Sequence, residues 1–210
     1  MTPRSPVPTP DCGRRLLPAV IDQLARDEPE RPWCSLPRDD YDLTKGFENI
    51  SFARLANGIN KLAWFVEEAI GKSTSFETIA YLGVNDIRYH MMQVAVSKTR
   101  HKVLFSTMLN TPAVHISLME QTDCKALFTA QGVHVKDILA SRPMNHTVIP
   151  ELDVLLQAGH VPHYPYEKTF EEAEHDPYLI LHTSGTTGHP VSRLSRSSSV
   201  LAQAGMVSLK

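Results

Sequence analysis

Cysteines are few in this 210-residue sequence, and their spacing matches neither a disulfide framework nor a zinc site. The three thiols, Cys12, Cys34 and Cys124, are widely separated and odd in number. Long hydrophobic runs are also missing, since no stretch approaches the roughly 18 apolar residues of a membrane span. The N-terminus lacks the apolar core of a secretory signal. We therefore expect a cytoplasmic protein without a membrane partner.

An excess of charge of one sign is absent as well. Lys and Arg total 21 against 23 Asp and Glu, which gives a formal net charge of -2. Proteins that bind nucleic acid through its phosphates carry a basic surplus, so no nucleic-acid partner is expected. Hydrophobic residues make up 42% and charged residues 21% of the chain, which is the composition of a globular protein. A small-molecule partner is the expectation.

What the sequence does contain divides into three regions. Residues 1–14 hold four prolines among small polar residues and are expected to form a disordered, proline-rich tail. Residues 15–190 carry regular apolar patterns and form the expected folded domain. Residues 191–210 are rich in serine and lack the apolar period of a helix or strand, so we expect an irregular C-terminal tail.

Helical patterns recur through the expected domain. Apolar residues at 3.6-residue spacing predict one helix over 15–26 and a second between an N-capping Ser51 and a terminating Gly71. Asp86 and the Thr111-Pro112 pair can each begin a further helix. The polar segment after the first helix is expected to be a loop with one short strand.

Strand-length apolar runs alternate with these helices. They lie at residues 78–84, 102–106, 125–129, 146–149 and 178–182. Strands separated by helices are typical of an α/β fold, a mostly parallel sheet with helices on both faces. Four of the runs are apolar on both faces and are predicted to be parallel and buried, namely those around Ile79, Leu104, Leu127 and Ile180.

A polar loop directly follows the last apolar strand. It offers four hydroxyl groups and two glycines in six positions: Thr183, Ser184, Gly185, Thr186, Thr187 and Gly188. Hydroxyl groups, and backbone amides that glycine leaves accessible, can wrap phosphate oxygens. In an open α/β sheet, ligands bind beyond the carboxyl ends of the strands. These six residues are therefore the candidate phosphate-binding site.

Other loop chemistries fit this sequence less well. A Walker A loop has four residues between its glycines and then a lysine, whereas two residues separate Gly185 from Gly188 and no lysine follows. A hydrolase nucleophile elbow has glycine two residues before the serine, but His182 occupies that position. A flexible polar turn is the alternative if Gly-Thr-Thr-Gly is taken alone.

The wider context of the loop resembles a known family. Residues 183–188 followed by Pro190 are similar to the signature loop of the adenylate-forming, or AMP-binding, superfamily. The resemblance to fungal nonribosomal-peptide-synthetase-like adenylate-forming reductases is carried by His182, Tyr81-Leu82-Gly83, Asp86-x-Arg88-Tyr89 and the stretch 117–125. It covers residues 15–190, which would then be a partial AMP-binding (adenylation) domain, the incomplete N-terminal part of the family's fold.

The resemblance implies a reaction and its participants. In the family, the loop holds the β- and γ-phosphates of ATP while a substrate carboxylate attacks the α-phosphorus, giving acyl-AMP and pyrophosphate. ATP and Mg²⁺ are the implied cofactors, and the carboxylic acid substrate would be an aryl acid, an α-keto acid or an amino acid. A full-length relative would carry a phosphopantetheine carrier domain, whose thiol receives the acyl group, and a reductase domain.

Two departures from the family pattern affect these expectations. Val191 stands where the family has lysine, so neutral donors act alone or Arg193 or Arg196 supplies the cation. The family's adenine-binding segment, metal-binding glutamate, ribose-binding aspartate and C-terminal lid lysine have no counterpart in these 210 residues. No catalytic residue and no metal ligand is therefore assigned. The alternative is a catalytically silent truncated remnant or misassembled gene product, which the composition after Pro190 favours.

Four further signals are weighed against structural roles. His160 and His163 suggest metal ligands, but the proline between them favours a loop. The acidic run at 171–176 is more typical of a solvated helix face than of a magnesium site. Cys124 is expected to be a small buried residue rather than a nucleophile. His182 either orients the substrate carboxylate or ends the strand, and the sequence leaves both open.

Overall fold

The computed structural model describes residues 14–183 and 191–196. The strands of this part are β1 (Pro32–Pro37), β2 (Phe47–Ser51), β3 (Thr78–Leu82), β4 (Lys102–Phe105), β5 (Cys124–Thr129), β6 (Asn145–Val148), β7 (Pro177–Thr183) and β8 (Val191–Arg196). The α-helices are α1 (Leu17–Asp27), α2 (Phe52–Ile70), α3 (Arg88–Lys98), α4 (Pro112–Gln121), α5 (Lys136–Ser141), α6 (Leu152–Leu156) and α7 (Phe170–Ala173). Within the described residues, no helix is long and apolar enough to cross a membrane.

Six strands form one sheet in the order β6-β5-β3-β4-β7-β8. The pairs from β6 to β7 are parallel, and β8 adds an antiparallel strand at one edge. Ala80 of the central strand pairs with Leu104 on one side and with Leu127 on the other. Ile180 pairs in turn with Leu104. The predicted buried, parallel strands are therefore confirmed.

Helices cover both faces of this sheet, as the sequence predicted. One core cluster joins Tyr81 and Val103 of the sheet to residues of α1, α2, α3 and α6. The other joins Ala80 and Leu104 to residues of α4 and α5. Successive strand residues belong to opposite clusters because side chains alternate across a strand. An apolar run without alternation is consequently buried on both faces.

Helix α2 shows how local signals fix an element. The Ser51 side chain accepts a hydrogen bond from the Arg54 amide at 3.4 Å, and Gly71 ends the helix with φ 79°. Between them, Leu55, Ile59, Leu62 and Val66 form a buried stripe. Burying one such side chain stabilises the fold by about 1.5–3 kcal/mol, so this stripe explains why the helix packs where it does.

The start of α3 differs slightly from the prediction. Asp86 does not cap the helix, because its carboxylate accepts the Arg88 amide at 2.8 Å and binds the Arg88 guanidinium as well. The cap position falls to Ile87, which has no side-chain cap bond. The prediction for α4 is confirmed, since the Thr111 hydroxyl accepts from the Val114 amide at 3.4 Å.

The expectation of an irregular chain after Pro190 is wrong for residues 191–196. They form β8, which pairs with β7 so that Leu194 lies opposite Ile180 and Val191 opposite Thr183. An edge strand is held by backbone hydrogen bonds to one neighbour, and it needs no apolar residues on both faces. The rest of the expected C-terminal tail, and residues 1–13 of the expected N-terminal tail, lie outside the described residues, so that division of the chain stays a prediction.

A buried ion pair ties the helical layer together. Lys98 Nζ of α3 donates to both carboxylate oxygens of Asp22 in α1, at 2.7 and 2.8 Å, and to Asn60 Oδ1 in α2 at 3.0 Å. Both charged side chains are almost completely buried. Burial lowers the pKa of Lys98, and Asp22 opposes that shift. A charge in this position requires its partner, because an unpaired buried charge costs several kcal/mol.

A neutral buried histidine makes the fold sensitive to acid. His101 lies between α3 and β4, with Nδ1 3.0 Å from Thr99 Oγ1, and burial lowers its pKa to about 4 from the ordinary 6.5. Its contribution to stability is fully present above pH 6.5 and is lost as the pH falls towards 4. Each pH unit of such a shift is worth about 1.4 kcal/mol. In His101→Gln, we expect the free energy of unfolding, measured by urea titration, to fall by roughly 3 kcal/mol less between these pH values.

The matched control is His175→Gln at an exposed imidazole, which should leave the pH dependence of the wild-type protein unchanged. Equal acid sensitivity of the wild-type and His101→Gln proteins would show that His101 does not carry this effect.

Candidate functional site

The sheet has a switch point between β3 and β4. The helix that follows β3 belongs to one core cluster, and the helix that follows β4 belongs to the cluster on the opposite face. The two connecting loops therefore separate above the carboxyl ends of neighbouring strands. A cavity of about 770 Å³ lies there, lined by residues 83–85, 105–109 and the end of β7. Open α/β sheets bind their ligands at such crevices.

Three aromatic rings build the wall of this crevice. Tyr81, Tyr89 and Phe105 contact one another edge to face, with ring centroids 4.8–6.2 Å apart. Tyr89 Oη donates to the Gly83 carbonyl at 3.1 Å and so holds the loop after β3. Tyr81 is fully buried, and its hydroxyl has no hydrogen-bond partner among the described residues. Burial raises the pKa of Tyr81, so that hydroxyl stays protonated.

Gly83 is required by the close approach of this wall. A Cβ atom at position 83 would lie 2.6 Å from Tyr81 Cζ and nearer still to the hydroxyl oxygen. Tyr81 cannot move away without disturbing the core, because it is completely enclosed. The Tyr81-Leu82-Gly83 sequence is thus a packing unit that shapes the crevice.

Arg88 anchors the loop that leads from the crevice into α3. Its buried guanidinium donates to Asp86 and, at 3.0 Å, to Glu151. Burial opposes the charge, but the bonds and attraction to the two carboxylates outweigh it and raise the pKa of Arg88. A fixed fork of donors suits two carboxylates at once. The Asp86-x-Arg88-Tyr89 pattern therefore positions the loop instead of meeting a ligand directly.

The rim of the crevice is mostly apolar, with a few polar groups between. Its exposed large hydrophobic residues are Val84, Met108, Leu109 and Leu181. Its polar residues are Asn85, Ser106, Thr107 and His182. An apolar pocket with a small number of convergent polar groups is typical of a small-molecule site.

His182 combines the two roles that the sequence left open, in the sense that it lies inside β7, one residue before its end, and also lines the crevice. Its Nε2 lies 3.3 Å from Asn110 Nδ2. Its Nδ1 is buried without a hydrogen-bond partner among the described residues. A role in orienting a substrate carboxylate stays a prediction.

Three residues behind His182 were not predicted from the sequence. Asn110 Nδ2 donates to Ser106 Oγ at 2.9 Å, and Ser106 Oγ lies 2.8 Å from His115 Nδ1. Burial lowers the pKa of His115, and repulsion from His182 adds to this. These residues follow β4 and begin α4, so only the fold brings them to His182.

The predicted phosphate loop begins at the same point. Thr183 is the last residue of β7 and pairs with Val191 of β8, so the segment between them starts and finishes at the crevice end of the sheet. Ser184, Gly185, Thr186, Thr187 and Gly188 lie outside the described residues. The assignment of phosphate binding to Thr183–Gly188 therefore stays a prediction.

Arg196 is placed away from this loop. It pairs with Pro177 at the opposite end of the β7–β8 pair, five residues beyond Val191. At about 3.3 Å per strand residue, the two Cα atoms are roughly 16 Å apart. The expectation that Arg196 replaces the missing lysine is therefore wrong, and Arg193 is left as the sequence candidate.

The remaining candidates have structural partners. His163 Nε2 lies 3.0 Å from Asp22 Oδ2 and so joins the buried ion pair. Within the described residues, no three or more His, Cys, Asp or Glu side chains are arranged to hold a metal ion. Glu172 forms a capping box with Thr169 at the start of α7. Cys124 is buried, and burial raises its pKa to about 11, which confirms a packing role.

Comparison with known proteins places this geometry in a family. The family described as AMP-binding enzyme matches residues 22–191, and the chain belongs to it. The chain is 38% identical over 182 residues to the isocyanide synthase–NRPS hybrid crmA of Aspergillus fumigatus, covering 85% of this chain and 12% of that protein. It is 36% identical over 191 residues to the carboxylic acid reductase of Neurospora crassa, covering 89% and 18%. The chain thus spans less than a fifth of these relatives.

Solved structures agree on the fold. The N-terminal subdomain of Klebsiella oxytoca NpsA matches with a TM-score of 0.63 at 17% identity, over 90% of this chain and 44% of that chain. The fatty acyl CoA synthetase of Mycobacterium tuberculosis matches with a TM-score of 0.67 at 13% identity, over 88% and 35%. The α/β architecture with a mostly parallel sheet is therefore that of adenylate-forming enzymes.

The two tyrosines of the crevice wall should respond oppositely to loss of the hydroxyl group. Tyr89→Phe removes the bond to the Gly83 carbonyl and should lower the free energy of unfolding by about 1 kcal/mol. Tyr81→Phe removes a buried hydroxyl without a partner among the described residues, so it should leave stability unchanged or raise it. Urea denaturation of both variants checks this. A larger loss for Tyr81→Phe than for Tyr89→Phe would contradict the described wall.

Proposed function

We propose that this chain forms part of an enzyme that uses ATP to activate a carboxylic acid as acyl-AMP, with release of pyrophosphate, for transfer to a carrier thiol. The observation that carries the proposal is the crevice at the β3–β4 switch point, where His182 and the first residue of the Thr183–Gly188 loop lie at the end of β7. Ligand chemistry in an open α/β sheet belongs at this edge.

The names of related proteins support an acid as the substrate. The matched relatives include a carboxylic acid reductase and an adenylate-forming reductase, Nps9 of Serpula lacrymans. The NpsA subdomain has been solved in complex with 3-hydroxybenzoyl-AMSN. Tyr89 and Phe105 give this crevice an aromatic lining, which suits an aryl acid better than the α-keto acids or amino acids also considered.

The donor chemistry of the loop suits phosphate. Its four hydroxyl groups and the amides beside Gly185 and Gly188 are neutral donors that can meet the β- and γ-phosphate oxygens of ATP. No carboxylate lies in the loop, and magnesium prefers carboxylate oxygens. Mg²⁺ would neutralise phosphate charge when bound, and we assign no residue of this chain to hold it.

Catalysis in such an enzyme depends on placing the reacting groups. The aromatic wall and apolar rim would exclude water from the acid, while the loop and His182 fix the oxygens around it. Such preorganised donors act more strongly in a dry crevice than in water. The gain comes from orientation of the carboxylate and stabilisation of the leaving pyrophosphate.

The partner domains belong to the same proposal. The matched relatives are a synthase–NRPS hybrid and reductases many times longer than this chain. A carrier domain with a phosphopantetheine thiol and a reductase domain would fit these names. The alternative of a silent remnant was favoured by the composition after Pro190, and residues 191–196 no longer support it because they pair with β7.

The 210 residues alone should not form acyl-AMP. The resemblance assigns the adenine, ribose and metal contacts to segments that this sequence does not contain, so the reacting groups cannot all be held. Pyrophosphate exchange with a panel of aryl, keto and amino acids is the measurement. Carboxylate-dependent exchange above a blank without protein would contradict the prediction.

Nucleotide contact through Thr183–Gly188 should be weak and should improve when a cation is restored. A charge-assisted bond to phosphate is worth about 1.5–3 kcal/mol, so Val191→Lys should tighten pyrophosphate binding roughly 10- to 100-fold. Gly185→Ala should weaken binding, because it crowds the approach to the backbone. Calorimetric titration with pyrophosphate and with ATP measures both effects.

Val148→Lys is the matched control for charge. It adds the same cation at an exposed position on β6, the other edge of the sheet, and should not change affinity. Micromolar binding that ignores Gly185→Ala, or equal affinity of the Val191→Lys and Val148→Lys variants, would show that the loop is not the phosphate site.

A further inference from the structure

A chain of hydrogen bonds connects the crevice to a buried helix residue. It runs from His182 Nε2 to Asn110 Nδ2 at 3.3 Å, from Asn110 Nδ2 to Ser106 Oγ at 2.9 Å, and from Ser106 Oγ to His115 Nδ1 at 2.8 Å. Ser106 and His115 are buried to within a few per cent. The chain is therefore rigid at its inner end and reaches the cavity at His182.

The chemistry of one amide group sets the direction of the whole chain. The Asn110 amide nitrogen carries two hydrogens and cannot accept, so it donates one to Ser106 and the other to His182 Nε2. Ser106 then donates its own hydrogen to His115 Nδ1. His182 Nε2 is thus an acceptor, and in the neutral ring the proton must be on Nδ1.

The proton on His182 Nδ1 has no acceptor among the described residues. That nitrogen is buried and lacks a hydrogen-bond partner there, and the ring borders the cavity one residue before Thr183. Buried donors in native proteins are nearly always satisfied. An oxygen atom of a bound ligand is the group that would satisfy this one.

We propose that Asn110, held by Ser106 and His115, is a positioning residue that keeps His182 in the Nδ1–H tautomer and presents this N–H to an oxyanion in the crevice. The oxyanion is either a phosphate oxygen or the carboxylate oxygen of the acid. The choice between these two rests on the proposed function, whereas the tautomer does not.

The tautomer can be read without any ligand. In protein labelled with ¹⁵N at histidine, at a pH above about 8 where neutral rings dominate, ring couplings show which nitrogen carries the proton. The His182 signals are identified by their loss in His182→Phe. We expect Nδ1 to be protonated in the wild-type protein. Asn110→Asp replaces the donor with a pure acceptor, so the proton should move to Nε2.

Two other variants keep this test decisive. Ser106→Ala removes the inner support of Asn110 and should give a mixture of both tautomers, even if Asn110→Asp folds poorly. Asn57→Asp, at a similar side-chain contact to backbone in the 159–161 segment, should leave the His182 ring unchanged. A wild-type ring protonated at Nε2, or a ring that ignores both Asn110→Asp and Ser106→Ala, would overturn the proposal.

Titrations with pyrophosphate and, separately, with benzoate identify the ligand oxygen. The anion that meets Nδ1–H should shift the His182 ring signals, and Asn110→Asp should weaken its binding roughly tenfold or more, as expected for loss of one charge-assisted bond. A response to pyrophosphate alone assigns a phosphate oxygen, and a response to benzoate alone assigns the carboxylate. An Nδ1–H ring that responds to neither anion overturns the ligand part and, unlike a wrong tautomer, also counts against the proposed function.

Discussion

Parallel strands cannot be joined by a tight turn, so each of β3 and β4 must be followed by a crossover helix. The other features of the site depend on this constraint. Because α3 and α4 pack on opposite faces of the sheet, their leading loops diverge and open a crevice. The crevice needs no dedicated element of its own, since it is a consequence of strand order.

Keeping two loops in place above a sheet requires polar anchors as well as packing. Arg88 holds the first loop through Asp86 and Glu151, at the cost of a buried guanidinium. The second loop is held by Ser106, Asn110 and His115. Buried polar groups contribute to a single well-defined arrangement only when their partners are in place. Both anchors meet that condition except at His182 Nδ1 and the Tyr81 hydroxyl, which lie at or just behind the surface that a ligand would approach.

The sequence predicted those parts of the fold whose signals are local. The stripe along α2 and its Ser51 cap, and the doubly apolar runs around Ile79 and Leu127, specify element type without knowledge of neighbours. The β1–β2 hairpin and β8 were harder, because short edge strands are defined by the strand beside them. The contact of Asn110 with His182 spans 72 residues of chain, and no periodicity records such a distance. Placement of Arg196 failed for the same reason, since strand register decides which end of β8 faces the loop.

The buried pair of Lys98 and Asp22 also bears on how this sequence can change over time. Loss of either partner alone would leave a solitary charge in the helical layer, and such intermediates are strongly destabilised, whereas an apolar pair of similar volume is often tolerated. The two positions are 76 residues apart in the chain, yet a lineage can replace them only together or after a compensating gain elsewhere. Asn60 and His163, which share the same oxygens or ammonium group, would be drawn into that exchange. Descendants of this sequence should therefore differ at these sites as sets, with few mixed combinations surviving.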